Sequence, residues 1–179
     1  KNRPSPLYGI DLCGGTGAVA LGLCSLTPGL RMDSVEWIPE AYVFLETNTQ
    51  KFGQGRVRPV RGNVLDEKAP SSLLSESLDV LISNPPYVRA GEIPILQQEV
   101  QQEPHTALNG GDGLDFYRAI ADFWIPWVKP GGVIAVEIGE EQAEAVCGLF
   151  QAAGVFSLRV HKDLAGFNRA ITGIRTEVR

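Results

Sequence analysis

The chain has few of the residues that staple small folds or build metal sites. It contains three cysteines, Cys13, Cys24 and Cys147, and no Cys-x-x-Cys pair. An odd, scattered set of thiols argues against a disulfide framework or a zinc ribbon and fits a reduced, cytoplasmic protein. Two histidines, His105 and His161, stand far apart, so a histidine metal site is not expected. No apolar run approaches the roughly 18 residues of a membrane span. The opening stretch KNRPSPLYG lacks the apolar core of a signal peptide. Cationic residues are in the minority: 16 Lys+Arg against 21 Asp+Glu give a net charge of -5 and a pI of about 5.1. A mildly acidic chain is a poor binder of bulk nucleic acid. Internal repeats and low-complexity tracts are also lacking.

What is present is the composition of one globular domain. The 179 residues are 44% hydrophobic and 21% charged, with a mean hydropathy of -0.02. A chain of this size buries enough surface for a core without covalent staples.

The pattern alternates strand and helix. Strands are expected at Tyr8 to Leu12, Arg31 to Glu36, Val57 to Arg61, Leu78 to Ser83 and Val133 to Ile138. Helices are expected from Ala18 to Cys24, from Pro39 to about Gln50, from Asp115 onward, and from Glu140 to Ala153. Lys129 to Gly132 reads as a turn. Phe156 to His161 and Ala170 to Ile174 read as a closing antiparallel pair. Phe116, Ile120, Phe123, Trp124 and Trp127 recur at helical spacing, which reads as a core-facing stripe. Repeated βα units point to one doubly wound sheet with helices on both faces.

Two turns carry chemistry. The first, Asp11-Leu-Cys-Gly-Gly-Thr-Gly17, leaves a strand and opens a helix. Glycines let a backbone approach a ligand closely, and free N–H groups at the helix start face it. Its glycines, at 14, 15 and 17, do not follow the Gly-x-Gly-x-x-Gly spacing. Glu36 ends the second strand about twenty residues later, where a carboxylate can accept both hydroxyls of a ribose. Dinucleotides and S-adenosylmethionine (AdoMet) both fit that pair of features.

The second turn, Ser83-Asn84-Pro85-Pro86-Tyr87, follows the fourth strand, at the sheet edge where ligands of open α/β sheets bind. Its prolines hold the backbone extended and remove two donors. The Asn84 side-chain oxygen and the Pro85 carbonyl remain as two acceptors suited to one –NH₂ group, and Tyr87 offers a flat face. An amide nitrogen held this way is oriented for attack on a methyl sulfonium, and no strong base is needed beforehand. About thirty residues of weak periodicity then follow, a length typical of functional loops.

These residues resemble the HemK/PrmC family of protein-glutamine methyltransferases. The matching stretches are DLCGGTGAVAL from Asp11, SNPPYV from Ser83, EVQQEPHTALNGGDGLDFYRAI from Glu99, PGGVIAVEIGEEQ from Pro130 and DLAGFNR from Asp163. NPPY alone is shared with adenine-N(6) methyltransferases; the other stretches are more specific to the glutamine enzymes. The resemblance implies a class I AdoMet-dependent, Rossmann-like α/β fold: a seven-stranded, mostly parallel sheet with helices on both faces and an antiparallel C-terminal strand pair. It implies methylation of the amide nitrogen of the glutamine in the Gly-Gly-Gln motif of class 1 peptide chain release factors. Alternatives are a glutamine of another protein such as a ribosomal protein, adenine N(6) of nucleic acid, or an AdoMet-binding module without turnover.

The resemblance also implies roles. Asp11, Cys13, Gly14, Gly15, Thr16 and Gly17 would line AdoMet, Glu36 with Trp37 would hold its ribose, and Asn63 with Val64 would flank the adenine. Asn84 and Pro85 would hold the substrate amide and Tyr87 would pack on it, Pro86 would complete the catalytic turn, and Asn84 would also meet the cofactor. Residues 1–179 would form one catalytic domain, with residues 84–114 as a substrate loop in which Glu99 and Glu103 meet the release factor. No metal, no membrane and no direct nucleic-acid contact are expected, and the protein would act as a monomer. The chain departs from the family at Cys13, where glycine is usual, and at Glu36 and Asn63, where aspartate is common. It also begins almost at the first strand, without the small helical domain and the helix that usually precede it. Exposed apolar surface on one sheet face is the expected consequence.

Overall fold

A computed structural model describes residues 6–75, 77–91 and 108–176 of the chain. Glu99, Glu103 and His105 lie outside the described residues. The first half alternates β1 (Leu7–Leu12), α1 (Ala18–Leu26), β2 (Leu30–Glu36), α2 (Pro39–Phe52), β3 (Val57–Arg61), α3 (Ala69–Leu73) and β4 (Leu78–Ser83). The second half runs through α4 (Asp115–Ala119), β5 (Val128–Glu137), α5 (Ala143–Ala152), β6 (Val155–Lys162) and β7 (Asn168–Arg175).

The strands form one seven-stranded sheet in the order β3-β2-β1-β4-β5-β7-β6. Pairings among β1 to β5 are parallel, and β7 runs antiparallel to both β5 and β6. This is the expected class I architecture. The direction of strand addition reverses between β1 and β4, and the ends of those two strands are where a ligand crevice opens in such sheets.

Two apolar clusters cover the two faces. The larger gathers Ile10, Leu12, Leu81 and Ile134 of the strands under Tyr117, Trp124 and Phe150. The smaller sets Ala20 and Cys24 of α1 on Met32, Val57 and Ile82. Cover on that second face is incomplete. Val133, Ile174 and Phe156 form one register row across β5, β7 and β6, and they are 38%, 37% and 48% exposed.

Three local readings need correction. Lys129 to Gly132 is not a free turn but lies inside β5: Leu78 pairs with Val128 and Val80 with Val133, so the Pro-Gly-Gly stretch is a bulge in a continuing strand. The helix from Asp115 does not stay α-helical. It widens to a π-helix over Ile120–Trp124 and tightens to a 3-10 turn over Ile125–Trp127, where Pro126 has no N–H to continue the α ladder. Trp124 is fully buried there and donates its indole N–H to the Val64 carbonyl at 3.0 Å. The short helix α3 carries no clear periodicity and was not anticipated.

Candidate active site

A cavity of about 540 Å³ opens along the carboxyl ends of the parallel strands. The loop after β1, the end of β2, the segment after β3 and the turn after β4 all reach it. It falls in the roughly 300–1,000 Å³ range of cofactor pockets.

The glycine loop is stitched to β2 by backbone and side-chain bonds. Gly14 N–H donates to the Val35 carbonyl at 2.9 Å, and Gly15 N–H donates to Glu36 Oε2 at 2.8 Å. A side chain on Gly14 would collide with Ser34 Oγ, so the loop lies flush on β2 only because that position has none. Asn48 Nδ2 from α2 donates to the Thr16 carbonyl at 2.9 Å and holds the far side. Glu36 itself is buried, and its Oε1 accepts the N–H groups of Trp37 and Ile38 at 2.8 and 2.7 Å.

Asp11 sits beneath the loop, 1% exposed, and its Oδ2 accepts the Ser34 hydroxyl at 3.2 Å. Burial pushes its carboxyl up to about 7, and the Glu36 charge adds to the effect, while bonds from Ser34 and the Ala20 N–H oppose it. Cys13 has a φ of 58°, in the left-handed region that favours glycine. The structure thus gives a backbone reason for glycine being usual there. Burial raises the Cys13 thiol, and the Glu36 and Asp11 charges raise it further, so it is not a thiolate nucleophile near neutral pH.

Asn84 is exposed on the opposite wall. Its predecessor anchors the turn: Ser83 Oγ donates to the Leu12 carbonyl at 2.8 Å, tying the end of β4 to the end of β1. Asn63 and Val64 close the third side, and Asn63 Oδ1 accepts the Leu65 N–H at 3.0 Å in a tight turn.

Of the residues expected at the site, Asp11, Cys13, Gly14, Gly15, Thr16, Glu36, Trp37, Asn63, Val64, Asn84 and Pro86 line this one cavity. Gly17, Pro85 and Tyr87 lie beside it. Gly17 caps the start of α1 with a φ of 81°, and Pro85 is buried under the turn. Tyr87 is half-buried, with its hydroxyl 3.5 Å from Glu137 Oε1; burial raises that hydroxyl's pKa and the Glu137 charge raises it further.

Phe116 and Asn109 also line the cavity. Phe116 belongs to the aromatic stripe read as core. Ile120 and Trp124 of that stripe are core, but Phe116 lies a turn earlier, where the helix end meets the pocket. Asn109 opens the Asn-Gly-Gly-Asp-Gly stretch, and glycine-rich return segments are the available signal for such a position. Among the described residues there is no group of three or more His, Cys, Asp or Glu that could hold a metal ion. No helix among them is long and apolar enough to cross a membrane.

No family model matches the chain. Curated proteins do. Over 178 residues it is 38% identical to a release factor glutamine methyltransferase of Moorella thermoacetica, covering 97% of this chain and 61% of the relative. Over 168 residues it is 35% identical to the protein of the same name from Clostridium acetobutylicum, covering 92% and 58%. The chain therefore spans about three-fifths of the length of these relatives. Among solved structures, a methyltransferase from Pyrococcus furiosus aligns with a TM-score of 0.69 at 15% identity, covering 97% of this chain and 77% of its own. A precorrin-6y C5,15-methyltransferase from Geobacter metallireducens aligns at 0.65 and 15%, covering 98% and 83%. These two alignments show the shared fold.

Proposed function

Because the chain belongs to the HemK/PrmC family, whose curated members are named release factor glutamine methyltransferases, we propose that it is the catalytic domain of such an enzyme. Its substrate is the glutamine side-chain amide of the Gly-Gly-Gln motif in a class 1 release factor, and its cofactor is AdoMet. The observation that carries the reading is that Asn84, exposed after β4, and the glycine loop after β1 face one cavity.

The cavity residues suit that cofactor. The loop from Cys13 to Gly17 lets a ligand backbone lie close. Glu36 has about one lone-pair position left after its three protein bonds, enough to accept a ribose hydroxyl. Asp11 supplies negative charge beneath the loop. Asn63, Val64 and Leu65 offer a mixed polar and apolar slot for a base. When bound, AdoMet supplies an electrophilic methyl group on a sulfonium.

The protein's part is then orientation. Asn84 Oδ1 and the Pro85 carbonyl accept the two amide hydrogens and fix the nitrogen in line with the methyl group. As the nitrogen takes the methyl group, the methyl–sulfur bond would break to leave S-adenosylhomocysteine, and the nitrogen, made strongly acidic, would lose its proton to solvent at the exposed mouth beside Asn84. No buried base is required. The enzyme works in the cytoplasm as a monomer, on a protein and not on nucleic acid.

The test is incubation of the full-length protein with methyl-labelled AdoMet and a release factor, beside a factor whose Gly-Gly-Gln glutamine is replaced by alanine. Label on the unaltered factor alone is the expected result. Equal label on both factors, or label only on added nucleic acid, overturns the reading.

A further inference from the structure

The turn that carries Asn84 cannot hold its own shape. Pro85 and Pro86 have no N–H, so the segment must be held through its carbonyls and by what packs behind it. Behind it stands Gln142, at the start of α5. Its Nε2 donates to the Tyr87 carbonyl at 3.0 Å and to the Gly113 carbonyl at 2.8 Å. Its Oε1 accepts the Gly139 N–H at 2.9 Å, and the Tyr117 hydroxyl lies 3.3 Å away. One carboxamide thus joins three chain segments: the turn after β4, the glycine-rich return and the exit of β5.

The return itself presses on the turn. Val88 N–H donates to the Leu108 carbonyl at 3.1 Å, and Gly110 N–H donates to the Val88 carbonyl at 2.8 Å. A Cβ on Gly110 would stand 2.6 Å from the Pro86 oxygen. The turn is therefore clamped on its far side by the return and closed at its end by Gln142. Gln142 does not line the cavity.

We propose that Gln142 is a positioning residue for methyl transfer: by fixing the Tyr87 carbonyl it sets the direction in which Asn84 and Pro85 present their acceptors. This inference rests on the amide-grip reading of Asn84. It separates two effects that a general loss of structure would couple. Substrate alignment depends on Gln142, and AdoMet binding does not.

The decisive variant is Q142E. It keeps the size of the side chain, removes both donors and sets a carboxylate against two carbonyl oxygens. Protonation of that carboxylate restores one donor. In the full-length protein, kcat on the release factor should fall roughly 10- to 100-fold near pH 8, the cost of a small misalignment. AdoMet Kd should stay within about twofold. The variant-to-parent ratio of kcat should recover as pH falls and the carboxylate takes up its proton. The groups around the position — the hydroxyls of Tyr87 and Tyr117, Glu137 and Arg169 behind them, Arg89 beside Gly113 and Glu141 next in sequence — are present in both proteins, so the ratio isolates residue 142.

Q142M, apolar and of similar length, should lose kcat at every pH without recovery, and it serves if Q142E does not fold. Equal kcat in parent and variants overturns the role of Gln142, as does a parallel loss of AdoMet binding. A parent protein that transfers no methyl to the release factor overturns the amide-transfer reading, and this inference with it.

Discussion

Glu36 Oε2 accepts the Gly15 N–H at 2.8 Å, so the last residue of β2 closes the loop that leaves β1. With Trp37 and Ile38 on the other oxygen, the carboxylate binds three protein donors before any ligand arrives. Glu36→Ala leaves three N–H groups without their partner and, on the proposed reading, removes a ribose acceptor. AdoMet Kd should rise by at least about tenfold, and stability should fall by about 1–3 kcal/mol. Glu36→Gln, which keeps one acceptor oxygen, should fall between. Calorimetric titration and thermal melts check both numbers, and an unchanged Kd removes Glu36 from the cofactor site.

Asp11 gives the site a pH dependence whose sign follows from its burial. Its carboxyl is pushed up to about 7 in the fold, against about 3.9 in an unfolded chain. Between those values the folded chain holds a proton that the unfolded chain has released. The contribution to stability is therefore full below about pH 4, declines as pH rises, and is gone above about 7. Asp11→Asn abolishes the decline, so its melting temperature should gain on the parent's between pH 5 and 8, by the equivalent of about 1–4 kcal/mol. A cationic cofactor favours the ionised carboxylate. AdoMet binding should accordingly release a proton near pH 7 and weaken below it, which titrations in buffers of different ionisation enthalpy detect. A Kd that is flat from pH 6 to 8 counts against Asp11 as a cofactor residue.

Much of this was legible in the sequence for a definite reason. The loop after β1, Glu36 and the Asn-Pro-Pro-Tyr turn all follow strands whose short apolar runs are easily seen, and a parallel sheet brings strand ends to one edge. What was not legible depended on register and on distant partners. The Pro-Gly-Gly stretch has turn composition, yet the pairing of Leu78 with Val128 and Val80 with Val133 makes it a bulge. Phe116 shares a helical stripe with Trp124 and packs against the same core, yet it also reaches the cavity, which helical spacing does not disclose. Gln142 ends the PGGVIAVEIGEEQ stretch, yet nothing in that stretch says what its side chain holds. Its partners lie 55 and 29 residues away, and only the folded chain brings them together.

Cys13 carries a φ of 58° at a position where a Cβ is strained. Cys13→Gly should relieve that strain by about 1–2 kcal/mol, less about 0.4–1 kcal/mol for the freer unfolded chain. The net expectation is a small gain in stability with AdoMet binding retained. A thermal melt and a titration on the variant decide it. A clear loss of stability would mean that packing of the thiol beside Ser83, Asp11 and Glu36 outweighs the backbone term.

Asn84 is the residue on which binding and turnover should part most sharply. It is exposed at the cavity wall, and the turn around it is held by Ser83 on the Leu12 carbonyl and by Gln142 on the Tyr87 carbonyl. Truncating its side chain therefore leaves the scaffold in place and, on the proposed reading, deletes one of two acceptors for the substrate amide. Asn84→Ala should lower kcat on the release factor by about 100-fold or more, the loss expected when a reacting nitrogen is no longer aligned. AdoMet Kd should change by less than about threefold, because most of the cavity's lining lies at the ends of β1, β2 and β3. Single-turnover methyl transfer with saturating AdoMet separates the two effects. A variant as fast as the parent would place the amide elsewhere, whereas equal losses in rate and AdoMet affinity would make Asn84 a cofactor residue first.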